Sequence, residues 1–174
     1  MAEVLPDQAS GLRRMFSRGL VRTVTVAAGA RGVGRSVLTA NLACALARRG
    51  AKVCVLDSAE RGRGVGDLLG VETRFDLADV LEGRRTLDAA LMPGPEGTRF
   101  LAADRARPLL PALAAAQQQR VADAFDALES PVDVLLIDSP IGSWEGVSSY
   151  SLAAGETLVV VSTEPSSITE AYGL

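Results

Sequence analysis

The residues Gly29-x-x-x-x-Gly34-Arg35-Ser36 combine a permissive backbone, one cation and one hydroxyl in a short stretch. Such a stretch is suited to holding phosphate. Glycines let the backbone curl until several N–H groups converge on an anion, and the start of a following helix adds the positive end of its dipole. The predicted phosphate contacts are Gly29, Gly32, Val33, Gly34, Arg35, Ser36 and Val37. The Ser36 hydroxyl stands where a loop of this kind ligates Mg²⁺. Where the pattern asks for lysine the chain has Arg35, a planar fork in place of a compact ammonium. The charge is kept, but its placement between terminal phosphates is expected to suffer.

A second candidate is Asp138, the carboxylate that ends the apolar run Val134-Leu-Leu-Ile-Asp138. Beside a phosphate loop such a group supports a magnesium-bound water, although alone it could be a strand-end cap. Asp57 ends the run Lys52–Asp57 in the same way and is a further metal candidate. A dinucleotide-binding reading competes, with Gly29, Gly32 and Gly34 crowded after a strand and Asp57 placed to meet a ribose hydroxyl. The glycine spacing is GxxGxG, however, not GxGxxG, and that reading leaves Ser36 and Asp138 unexplained. The chain has no histidine, which excludes imidazole bases and Ser-His-Asp triads, and Lys52 is its only lysine.

These residues need elements to hold them. Val21–Ala28 reads as a strand, Ser36–Arg49 as a helix with Leu38, Leu42, Ala45 and Leu46 on one face and Gly50 as its stop, and Lys52–Asp57 as a second strand. Gly62–Gly83 reads as loop and short helices, Arg99–Ala103 as a short strand, and Ala115–Glu129 as a helix carrying Val121, Phe125 and Leu128. Val132–Asp138 and Glu156–Ser162 are apolar runs without strict alternation, which predicts parallel strands covered on both faces. Strand and helix alternating in this order predicts a doubly wound, mostly parallel α/β sheet.

Composition narrows the class. With 174 residues, 48% of them hydrophobic and 22% charged, the chain is a globular domain with its own core. A net charge of −3 argues against a dedicated nucleic-acid binder, and no apolar run is long enough to span a bilayer. Cys44 and Cys54 fall inside a predicted helix and strand, as reduced thiols of a cytoplasmic protein do. Ahead of the first strand, Leu12, Met15, Phe16 and Leu20 recur at helical spacing beside Arg13, Arg14 and Arg18. That is a short basic amphipathic helix, either folded back on the domain or docking on a partner.

Together these stretches resemble the ParA/MinD branch of P-loop ATPases, and more narrowly the FlhG/FleN regulators of flagellar number. The resemblance runs through GARGVGRSVLTANLACALARRGAKVCVLD, DLLGVETRFDLADVLEGRRTLDAAL, GPEGTRFLAA, VDVLLIDSPIG and VVVSTEPSSITEAYGL. It implies a P-loop NTPase sheet of the SIMIBI, MinD-like type over residues 21–174, shortened at the C-terminus, behind an arm at residues 1–20. It implies ATP or ADP with Mg²⁺ as ligand. The arm carries Asp7-Gln-Ala-Ser-Gly-Leu-Arg13, which matches the family's DQAxxLR motif, and in that family the motif stimulates the signal-recognition-type GTPase FlhF. Asp7, Gln8, Leu12 and Arg13 are then the partner contacts, with a flagellar transcription activator or switch protein as a further partner.

The family loop reads KGGVGKT where this chain reads Ala30-Arg-Gly-Val-Gly-Arg-Ser36. Ala30 stands at the signature lysine that reaches across an ATP-sandwiched dimer, and Ala59 stands at the aspartate that orients the attacking water. The resemblance therefore implies no intact catalytic set, a weakened homodimer and impaired hydrolysis. An ATP-hydrolysing switch in flagellar placement, septum placement or cellulose synthesis is the alternative. The relatives' C-terminal membrane-binding helix has no counterpart here, so no membrane helix is expected.

Overall fold

In the computed structural model, which describes residues 21–59, 62–110, 113–140 and 155–174, the apolar runs assemble into one six-stranded sheet. Its strands are β1 (Arg22–Ala27), β2 (Val53–Asp57), β3 (Met92–Pro93), β4 (Arg99–Ala102), β5 (Val134–Asp138) and β6 (Glu156–Val159). They lie in the order β3-β4-β2-β5-β1-β6, all parallel except the short edge strand β3, which runs antiparallel to β4. The doubly wound α/β expectation holds.

Successive side chains of a strand point to opposite faces, so an apolar run buried on both sides feeds two cores. Val53 and Val55 of β2 and Leu136 of β5 join Phe100 on one face, under helices α1 (Arg35–Arg48) and α2 (Val65–Leu68). Cys54, Leu56, Leu135 and Ile137 join Leu101 on the other. There they pack against α3 (Leu77–Leu81), α4 (Leu87–Ala90) and α5 (Ala115–Asp126). Asp76 opens α3, accepting from the Ala78 amide, and it also accepts from the Arg105 and Ala106 amides, tying the turn after β4 to that helix.

Two expectations are corrected. Along α1 the buried residues are Arg35, Thr39, Ala40 and Ala43, while Leu38 and Ala45 are exposed and Leu42 and Leu46 only partly covered. Small side chains let this helix lie close on the sheet, so its inward stripe follows the alanines rather than the leucines. β6 is shorter than predicted and all four of its residues are exposed, because among the described residues it pairs only with β1. The predicted arm, with Asp7, Gln8, Leu12 and Arg13, lies outside the described residues.

Among the described residues no helix is long and apolar enough to cross a membrane.

Candidate functional site

The parallel strands all end on one side, and that is where the predicted residues meet. In register, Asp57 at the end of β2 lies beside Asp138 at the end of β5, and Val26 of β1 flanks Asp138 on the other side. β1 then passes into the loop that leads to α1.

Gly32 and Gly34 adopt φ of 77° and 89°, a left-handed backbone that side chains with a Cβ rarely take. Gly34 caps α1, its carbonyl accepting from the Leu38 amide at 2.8 Å. The first amides of that helix have no intrahelical acceptor and face the loop. Gly29 serves a different purpose. A Cβ there would sit 2.4 Å from the Glu170 carbonyl carbon, so only glycine lets helix α6 (Pro165–Ala171) close over the loop.

Above the loop is a cavity of about 340 Å³, lined by Ala30 to Val37, with Ala59, Arg63, Leu68, Arg107 and Pro140 around it. Of the predicted phosphate contacts Gly32, Val33, Gly34, Arg35, Ser36 and Val37 line it, whereas Gly29 is packed against α6. Arg31, Arg35, Arg63 and Arg107 all reach its wall, and no carboxylate among the described residues does. The cavity is therefore suited to an anion carrying several charges.

Beneath the loop, Arg35 turns inward. Its Nε donates to Asp138 Oδ1 at 2.8 Å and its Nη2 to Asp138 Oδ2 at 3.2 Å, with the arginine 5% and the aspartate 0% exposed. Ser36 Oγ donates to Asp138 Oδ2 at 2.7 Å. Thr39 Oγ1 stands 3.2 Å from Asp138 Oδ1 and 3.0 Å from the Arg35 carbonyl, and shares its one proton between them. Thr39 was not singled out by the sequence. The signal was its place one turn after Arg35, on the same helix face. Arg35 Nη1 is buried with no hydrogen-bond partner.

Asp57 is held apart from this cluster. Its Oδ1 accepts from the Ala59 amide at 3.1 Å and its Oδ2 from the Gly66 amide at 2.8 Å, and Gly64 has no Cβ because the carboxylate fills that space. Burial pushes its carboxyl up to about 6, the two amides and the neighbouring Asp138 being smaller influences. Asp57 lines a second cavity, of about 500 Å³, together with Asp67, Glu72 and Asp104.

Comparison with known proteins places this arrangement. The profile described as "ParA: NUBPL iron-transfer P-loop NTPase" matches residues 19–93. The antiactivator FleN of Pseudomonas aeruginosa is 37% identical over 163 residues, covering 94% of this chain and 58% of FleN. The chain belongs to the ParA/MinD family of P-loop NTPases. The MinC:MinD cell division complex of Aquifex aeolicus superimposes with a TM-score of 0.70 at 32% identity, over 86% of this chain and 60% of that one. MinD of Pyrococcus horikoshii, solved as a complex with Mg-ADP, gives a TM-score of 0.64 at 26% identity, over 86% and 61%. The chain thus spans about three-fifths of the length of these family members. Ala30 and Ala59, which the resemblance sets at the signature-lysine and water-orienting positions, both lie on the cavity wall.

Proposed function

We propose that this chain is a nucleotide-binding regulator of flagellar assembly or number, acting through protein contacts, with ATP hydrolysis that is slow or absent. The observation that carries the reading is similarity to the antiactivator FleN along 94% of the chain. The arginine-lined cavity over a glycine loop supports ATP or ADP as the ligand. Ala30 and Ala59 support impaired chemistry. Each lacks the charged group that contacts or orients the reacting atoms, and one lost electrostatic contact to a transition state costs about 3–4 kcal/mol.

In this reading the arm Asp7–Arg13 docks on a GTPase of the FlhF kind, Gln8 and Arg13 supplying polar contacts and Leu12 an apolar anchor. The test is the partner's GTP hydrolysis with the full chain and with Asp7–Arg13 deleted. Stimulation is expected from the full chain and none from the deletion. Equal stimulation by both would remove the arm from the mechanism.

A further inference from the structure

We infer that the Arg35 guanidinium occupies the place of magnesium in this site, so that a nucleoside diphosphate or triphosphate binds without a divalent cation. The inference rests on the nucleotide-binding reading above and adds to it how the phosphate charge is met.

Magnesium asks for an octahedron of oxygens at about 2.0–2.1 Å and keeps several of its waters. In a loop of this class the helix-start hydroxyl would be a direct ligand and the strand-end carboxylate would hold a bound water. The residues present do not fit that arrangement. Ser36 Oγ already gives its proton to Asp138, and Arg35 Nη2 lies 3.4 Å from it on the acceptor side. Asp138 is wholly buried, and each of its oxygens has a guanidinium nitrogen and a hydroxyl upon it. A carboxylate has about four lone-pair sites; three have a donor of their own and the fourth shares the Thr39 proton with the Arg35 carbonyl.

Its charge is also spoken for. A cation entering here would find a neutral pair, with the guanidinium fixed alongside. To bind, it would have to displace Arg35 and leave that guanidinium buried and unpaired, which is the costly way to break such a pair. Asp57, the neighbouring strand-end carboxylate, offers no replacement because both its oxygens rest on amides.

What the site lacks in a metal it has in arginine. Arg31, Arg63 and Arg107 reach the cavity in addition to Arg35. Guanidinium groups bind phosphate oxygens with two parallel N–H donors and release their hydration more easily than ammonium does. Arg35 itself keeps one donor in reserve, the buried Nη1, which has no hydrogen-bond partner.

The test is calorimetric titration of the full chain with ADP, once in a magnesium buffer and once in EDTA, alongside the Arg35→Lys variant. The unmodified chain is expected to bind with dissociation constants that agree within about threefold. Arg35→Lys removes the two-pronged guanidinium contact from Asp138, and its affinity is expected to rise by more than about threefold on adding magnesium. Tighter binding of the unmodified chain with magnesium, beyond that margin, would overturn the inference while leaving nucleotide binding intact. A folded lysine variant indifferent to magnesium would overturn it as well. Absence of ADP binding in both buffers would overturn the nucleotide reading and this inference together. The unmodified chain decides the point whether or not the variant folds.

Discussion

Arg35 and Asp138 are a buried, two-pronged ion pair joining the start of α1 to the end of β5, with Nε–Oδ1 at 2.8 Å and Nη2–Oδ2 at 3.2 Å. A loop cation that would ordinarily look toward phosphate here looks into the sheet. The pair is part of the fold as much as of the site, and that makes it measurable.

Removing one partner leaves the other buried and charged. Asp138→Ala is expected to lower stability by about 3–5 kcal/mol, seen as a fall in the urea midpoint. Replacing both residues with apolar side chains of similar size, Arg35→Met with Asp138→Leu, is expected to cost far less than the single change. Equal losses in the single and double variants would show that the pair is not coupled.

Gly29→Ala tests the contact between loop and α6. The new Cβ would lie 2.4–2.6 Å from the backbone of Glu170 and Ala171, so the helix must shift. A cost of about 1–3 kcal/mol is expected. Faster amide exchange at Ile168 and Tyr172, whose N–H groups bond Glu164 and Ile168, would locate it. Unchanged exchange in α6 would contradict the packing described.

Asp57 gives a pH signature. Its carboxyl is raised from the usual 3.8 to about 6 by burial, so between those values the native state holds a proton that the unfolded chain has released. Stability therefore falls as pH rises from about 4 to 6, by up to about 3 kcal/mol from this group. The Asp57→Asn variant should lack that part of the slope, and a carboxyl NMR titration should place the midpoint near 6. A midpoint near 4 would show that Asp57 is better solvated than its surroundings imply.

The two thiols should differ. Cys54 is fully buried and its thiol is pushed up to about 12, mainly by burial, whereas Cys44 is partly exposed. Alkylation of the native chain at neutral pH should label Cys44 alone by mass spectrometry. Labelling of Cys54 at the same rate would mean that β2 opens readily.

The sequence was informative wherever one physical pattern dominated. β2 and β5 are apolar on both faces, so their runs announced central parallel strands, and the aspartates ending them fell on one sheet edge because parallel strands finish together. The glycine loop was legible because Gly32 and Gly34 need a backbone that few residues adopt. The inward turn of Arg35 was not legible. Spacing places a residue on a helix but says nothing about whether a long guanidinium reaches for solvent, phosphate or a carboxylate from a strand 103 positions away. The buried stripe of α1 was misread because leucine spacing was weighed above the small residues at Ala40 and Ala43. β3 escaped notice because two residues carry no periodicity.

The central claim is that this loop still gathers polyphosphate although the groups that would cleave it are missing. Phosphate release from ATP by the unmodified chain, in magnesium and with ADP binding checked on the same sample, tests it most directly. The account predicts binding with no release above the uncatalysed background. Sustained magnesium-dependent turnover that disappears in Ser36→Ala would contradict it.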